Sequence, residues 1–223
     1  YGADAGGVIS LTSRQTSEGV DADLFVEVGE EDFTQLGINL SAGNDWIQGS
    51  VAWADMSTDG FNARPSDVDP ADKDGYENQT VHGNLKLLLN DHWDLQLTSH
   101  IIDADNDYDS CFSAVDFSQS NLCTDVFEQR SHRIAVNWRT ETLTSSLSFE
   151  DLSSERVFAT EGISTFKPNS DQHELSWLST YQSSVGRIIF GVDLQEQSYD
   201  DEFNQRERDN TGIYGELQLP AFR

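Results

Sequence analysis

Two acidic loops carry the residues of this sequence that are best suited to chemistry. The first, residues 57–78, and the second, residues 104–128, are rich in aspartate, and the second has no Lys or Arg. Crowded carboxylates repel one another, so a bound cation is the simplest way to order such loops. Calcium takes six to eight oxygen ligands and suits irregular Asp-rich loops. We therefore predict that calcium orders both loops; the alternative is that they are simply solvated.

The cysteines of the sequence are Cys111 and Cys123, and both lie in the second acidic loop. A pair with no other cysteine to bond to, and without C-x-x-C spacing, is typical of a disulfide formed outside the cytosol. A two-cysteine zinc site is the alternative, although the loop has no histidine to complete it. We expect the disulfide.

Catalytic constellations are hard to find. The five histidines are scattered over different strands and turns: His82, His92, His100, His132 and His173. The serines are too numerous to single out one nucleophile. The sequence therefore predicts a protein that is not an enzyme.

The elements that must position these loops alternate between apolar and polar residues with a period of two. In one segment Leu85, Leu87 and Leu89 alternate with Asn84 and Lys86, as expected of strands with one apolar face. The same pattern predicts ten strands, at about 22–29, 33–42, 46–57, 79–89, 93–103, 129–139, 143–156, 171–182, 187–198 and 210–219.

The connections between these strands alternate in length. Tight turns are expected at 43–45, 90–92, 140–142 and 183–186, and long polar loops at 57–78, 104–128, 157–170 and 199–209. Short turns on one rim and long loops on the other are typical of an all-β, antiparallel up-and-down transmembrane β-barrel. Aromatic residues near the short turns would form an interfacial girdle: Trp46, Trp93, Trp138, Trp177 and Tyr181. A soluble β-sandwich, with these aromatics in its core, is the alternative.

Composition narrows the function classes. Of the residues, 36% are apolar, and no run is long enough for a membrane-spanning helix. The formal net charge of -27 argues against binding to nucleic acid, because phosphates would be repelled. The sequence begins at Tyr1 without Met or a signal peptide, so we expect a processed product or a piece of a longer chain.

Several short segments carry a family resemblance. They are YGADAGGVI at 1–9, ADKDGY at 71–76, NDYD at 106–109, GVD at 191–193 and DNTGIY at 209–214. In order and spacing the sequence resembles the TonB-dependent outer-membrane receptors, and among them the cobalamin (vitamin B12) receptors. The resemblance implies a 22-strand barrel around a plug domain. Residues 1–19 would then be the C-terminal tail of the plug and residues 20–223 about the first ten barrel strands.

The resemblance also implies a function and a place in the cell. The protein would sit in the lipid of the bacterial outer membrane and import cobalamin, with energy from TonB acting on plug residues that this chain lacks. In that family calcium orders the loops that grip the ligand, and the matching residues here are Asp72, Asp74, Tyr108, Asp109 and Asp125, with Asn62 where the family can have Asp. The alternatives are a receptor of the same type for a siderophore, haem or an oligosaccharide, or a secreted calcium-dependent β-sandwich that binds glycans.

Overall fold

The computed structural model describes residues 18–62, 64 and 73–219. These residues form strands joined by turns and loops. The strands are β1 (Gly19–Val28), β2 (Thr34–Gly43), β3 (Ile47–Thr58), β4 (Tyr76–Leu88), β5 (Trp93–Tyr108), β6 (Cys111–Phe112), β7 (Gln119–Ser120), β8 (Cys123–Arg139), β9 (Leu143–Thr160), β10 (Ile163–Phe166), β11 (Asn169–Ser183), β12 (Gly186–Asp201) and β13 (Asn204–Gln218). The described residues contain no helix with the length and hydropathy of a membrane-spanning segment.

The ten long strands form one continuous antiparallel sheet in the order β1-β2-β3-β4-β5-β8-β9-β11-β12-β13. Each long strand therefore pairs with the next long strand along the chain. The short strand β10 folds back on β9, and β6 and β7 form a separate two-stranded ribbon inside the second acidic loop. In the described part of the chain no second sheet covers either face of the large one, so the β-sandwich alternative is wrong.

The ten predicted strands are confirmed, but most are longer than expected. The predicted long loop at 199–209 is wrong, because β12 and β13 run on to a two-residue turn at Glu202 and Phe203. Most of the predicted loop at 157–170 is likewise a hairpin of β9 and β10. The outer ends of β12 and β13 lack an apolar face, yet the backbone of each still hydrogen-bonds to the other strand. The long connections are thus the two acidic loops, β3–β4 and β5–β8.

Asparagine side chains shape two of the short turns. The Asn44 side-chain oxygen accepts hydrogen bonds from the backbone N–H groups of Trp46 and Ile47, each at 3.0 Å. The Asn90 side chain accepts in the same way from His92 at 2.8 Å and Trp93 at 3.0 Å. An asparagine that bonds backbone groups two and three residues on replaces a backbone turn bond. The predicted turns at these positions are confirmed.

The two faces of the sheet differ sharply in chemistry. Through the strand register one row on the first face runs Leu85, Leu97, Ile134, Phe149, Leu175 and Leu194, and the next runs Leu87, Leu95, Val136, Leu147, Trp177, Val192 and Ile213. A row on the second face runs Lys86, Gln96, Ala135, Ser148, Ser176 and Asp193. The first face suits lipid and the second a polar lumen.

The apolar stripe crosses the strands on a diagonal, which gives their tilt. On β1 it covers Val20 to Val28, and on β12 it covers Ile188 to Leu194. Val20, at the turn end of the first stretch, shares a register row with Leu194, at the loop end of the second. The midpoint of the stripe thus moves along the strands by about seven residues over eight strand-to-strand steps. This shift is about 3 Å per step, and neighbouring strands are about 4.8 Å apart. A membrane-parallel stripe then needs a tilt of roughly 30°, close to that of barrel strands.

Few apolar side chains of the described sheet are buried. The buried apolar side chains are Cys123 and Ala135, while Trp93 is 42% exposed and Leu147 is 49% exposed. Near the short turns the rings of Trp93 and Trp138, two of the five residues of the predicted aromatic girdle, stack at 5.8 Å. The barrel is not closed in this chain: β1 and β13 each have one paired neighbour among the described residues.

The proposed boundary at residue 19 falls at the start of the described sheet. β1 begins at Gly19 instead of the expected residue 22. Residues 1–17, which carry the resemblance to a plug tail, lie outside the described residues, so the plug assignment stays a prediction.

Candidate functional site

The candidate site lies at the rim of long loops, where the two acidic loops meet. The Asp107 N–H donates to the carbonyl of Gly75 at 2.9 Å, which joins the end of one loop to the strand before the other. Farther out, Nη1 of Arg64 donates to Ser110 Oγ and to Asn121 Oδ1, both at 3.2 Å. The prediction that the two loops are neighbours is confirmed.

A glycine and a lysine hold the base of the first loop. Gly60 has a φ of +67°, and a Cβ built there would lie 1.9 Å from the carbonyl oxygen of Asp74, so only glycine lets the two loop limbs meet. Lys73 Nζ lies 3.0 Å from Glu31 Oε2 and 3.6 Å from Asp59 Oδ2. The hydrogen bond to Glu31 raises the pKa of Lys73 above its ordinary value. A cation of the chain itself therefore offsets acidic charge here.

The disulfide between Cys111 and Cys123 is confirmed. Their Cα atoms are 5.9 Å apart, inside the 4.4 to 6.8 Å range usual for the bond. The bond ties the β6–β7 ribbon to the first residue of β8. Between the cysteines, the Asp116 carboxylate accepts hydrogen bonds from the Ser118 N–H at 3.0 Å and the Ser118 hydroxyl at 2.6 Å. The hydroxyl bond lowers the pKa of Asp116.

The predicted calcium ligands do not share one environment. Asp125 is 6% exposed, and its carboxylate accepts two hydrogen bonds from Arg156: Nε donates to Oδ1 at 2.7 Å and Nη2 to Oδ2. The Asn62 side-chain oxygen accepts the Arg64 N–H at 2.8 Å. Asp125 is therefore engaged by an arginine side chain, and Asn62 by the backbone of its own loop.

The remaining predicted ligands lie at the meeting point of the loops or outside the described residues. Asp74 is half-buried, and both carboxylate oxygens of Asp109 are shielded from solvent. The ring of Tyr108 packs edge-on against Phe158 at 6.4 Å. Asp72 lies outside the described residues. No group of three or more His, Cys, Asp or Glu side chains in the described ranges is arranged to hold a metal.

The lumen face next to this site carries an arginine and aromatic cluster that we did not predict. The Arg156 guanidinium carbon lies 4.9 Å from the ring centroid of Phe158 and 5.8 Å from that of Phe127. Phe158 stacks on Phe166 of β10, with centroids 6.0 Å apart. Only the β8–β9 register brings Asp125 and Arg156 together. The sequence signal was an arginine two residues before a phenylalanine, which has no specific meaning.

The histidines are spread over both faces of the wall. His82 and His100 face the lumen as cross-strand neighbours, with ring centroids 5.7 Å apart. On the other face His132 Nδ1 lies 3.0 Å from Ser99 Oγ, and His173 Nδ1 lies 2.8 Å from Asp151 Oδ2. The pairs use different partners, so they do not combine into one constellation.

The single tilted sheet, with an apolar outer face, a polar inner face and long loops at one rim, is the wall of an outer-membrane barrel. Solved structures agree on the fold. The copper transporter OprC has a TM-score of 0.71 at 11% identity over 94% of this chain and 35% of its own. The siderophore receptor PiuA from Acinetobacter baumannii has a TM-score of 0.66 at 11% identity over 91% of this chain and 34% of its own.

Two sequence relatives share one name, vitamin B12 transporter. The chain is 26% identical to the vitamin B12 transporter BtuB of Photobacterium profundum, over 96% of this chain and 35% of the relative. It is also 26% identical to the vitamin B12 transporter BtuB of Vibrio vulnificus, over 96% of this chain and 36% of that relative. No family model matches. The resemblance to TonB-dependent receptors of the bacterial outer membrane is confirmed, and the chain spans about a third of the length of these relatives.

Proposed function

We propose that this chain is part of a receptor that imports cobalamin across the outer membrane with energy from TonB. The observation that carries the proposal is the relationship over 96% of the chain to two vitamin B12 transporters. The lumen supports it, because its face is polar while the outer face is apolar. The transport step itself needs no covalent chemistry from the chain. TonB would act through plug residues outside this chain.

Cobalamin binding by the full-length receptor is the direct test. Purified receptor in detergent is titrated with cyanocobalamin and followed by tryptophan fluorescence, and then challenged with a ferric siderophore and with haem. We expect saturable cyanocobalamin binding that neither competitor displaces. Binding of the siderophore, with no cyanocobalamin binding, would assign the receptor to the other ligand class.

Calcium ordering of the rim loops stays a prediction. Asp74 and Asp109 lie where the two loops meet, which supports a shared cation there. Asp125 and Asn62 fit less well, since their oxygens are engaged by Arg156 and by the Arg64 N–H. Calcium would add positive charge where the carboxylates of the two loops converge. We propose Asp72, Asp74 and Asp109 as its main ligands.

A further inference from the structure

Arg156 is presented to the lumen by a carboxylate that is itself hidden. The Asp125 side chain is 8% exposed, whereas that of Arg156 is 46% exposed. Asp125 engages the Nε and Nη2 edge of the guanidinium, and Nη1 makes no hydrogen bond among the described residues. The pair is neutral overall, but its accessible member is the cation.

Aromatic rings surround this cation on the same face. Arg156 lies over Phe158 and Phe127, and Phe158 continues into contacts with Tyr108 and Phe166. Alternation along β9 places Arg156 and Phe158 on the lumen face, as it places Leu147 and Phe149 on the lipid face. The Phe158 and Phe166 rings are half-buried, so part of each is accessible. A fixed guanidinium beside accessible rings suits a ligand with an anionic group next to a flat ring.

We propose that Arg156 and Phe158 form a subsite for the nucleotide portion of a corrinoid, with Arg156 on the phosphodiester and Phe158 against the flat benzimidazole base. This inference rests on the proposed cobalamin function and names the part of the ligand that Arg156 and Phe158 would bind. Asp125 is the positioning residue, because it fixes the guanidinium plane through two parallel hydrogen bonds. A rigid guanidinium loses less rotamer freedom on binding than a free one.

A purely structural role for Arg156 is the competing account. Asp125 is buried, and a buried carboxylate without its cation would destabilise the fold. Loss of binding in Arg156→Ala alone would therefore not separate the two accounts. The double variant Asp125→Asn with Arg156→Gln does separate them, because a neutral amide pair replaces the ion pair and leaves no buried charge.

The test compares two ligands on the full-length receptor. Cyanocobalamin carries the phosphodiester and the base, whereas dicyanocobinamide lacks both. We expect Arg156→Ala and the double variant to weaken cyanocobalamin binding by about tenfold to a hundredfold, the effect of losing a charge-assisted hydrogen bond. Dicyanocobinamide affinity should stay within about twofold, which also reports that the variants are folded. Phe158→Leu should weaken cyanocobalamin selectively as well.

Arg130→Ala is the matched control. Arg130 is also paired with a carboxylate, Glu128, at 3.1 Å, but it lies on the outward face of β8. It should leave both affinities unchanged. Recovery of cyanocobalamin affinity in the double variant, or equal losses for both ligands, would overturn the subsite. A wild-type receptor that binds dicyanocobinamide and cyanocobalamin equally well would also overturn it, while leaving corrinoid import intact. A wild type that binds neither corrinoid would overturn the proposed function and the subsite with it.

Discussion

One pair of substitutions tests the assignment of the two faces. Leu147 lies on the apolar face between Val136 and Trp177 in the register, well inside the stripe on β9. Ser146 is its chain neighbour, is half-buried, and points to the lumen face. Leu147→Arg and Ser146→Arg therefore add the same side chain one residue apart, one toward lipid and the other toward polar groups. Chain position, strand and charge change are matched.

The two variants should differ in their free energy of unfolding, because Leu147 would lie deep in the bilayer whereas Ser146 faces the lumen. Arginine on the lipid face costs about 2 to 4 kcal/mol at the midplane of the bilayer, and lumen substitutions have little effect on membrane insertion. The stripe on β9 runs from Leu143 to Phe149, or about 20 Å along the strand, and Leu147 lies near its middle. We expect the Leu147→Arg penalty to be about 2 kcal/mol or more, measured by reversible urea unfolding of the full receptor in lipid vesicles.

Ser146→Arg should cost less than about 1 kcal/mol in the same assay, because the lumen face can solvate the guanidinium. The barrel gel shift, which requires a folded wall, provides an independent measurement for both variants. Equal penalties at the two positions, or a larger one for Ser146→Arg, would refute the assignment of the apolar face to lipid.

Three further outcomes are expected. Replacing Cys111 and Cys123 by serine should free a loop of about thirteen residues, remove roughly 3 kcal/mol of local stability in the chain-entropy model, and raise amide exchange there; unchanged exchange would argue that packing holds the loop. Calcium titration of the intact receptor should protect both acidic loops together and strengthen corrinoid binding, and Asp72→Ala with Asp74→Ala should abolish that response; affinity indifferent to calcium would count against metal ordering. The 223-residue chain alone should aggregate in water through the outer edges of β1 and β13, which have no neighbour among the described residues. A soluble monomer without detergent would contradict the open-barrel fold.

The parts of the fold visible in the sequence were those with a periodic signal. The alternation of Leu85, Leu87 and Leu89 with polar residues predicted β4. Asn44 and Asn90 indicated the turns between β2 and β3 and between β4 and β5. The outer ends of β12 and β13 were missed because both of their faces are polar. In such segments the backbone ladder, rather than side-chain burial, decides the structure.

The candidate site was predictable in place but not in detail. The two loops and the disulfide follow from composition, whereas the pairing of Asp125 with Arg156 depends on a register between strands. The family resemblance assigned Asp125 to a calcium site, and the sequence did not show that Arg156, on another strand, pairs with it. Charge balance in a sheet is set by cross-strand neighbours, which a single sequence does not supply.

The nearly coreless wall has a consequence for the life of the protein before it reaches the membrane. Apolar side chains such as Val26 (67% exposed), Ile188 (51% exposed) and Ile213 (71% exposed) are not buried within the described sheet. In an aqueous compartment they would drive association between chains before pairing is complete. We expect the nascent receptor to depend on a holdase chaperone during transit. Its strands should reach their final hydrogen-bond register only when lipid replaces that chaperone in covering the apolar face.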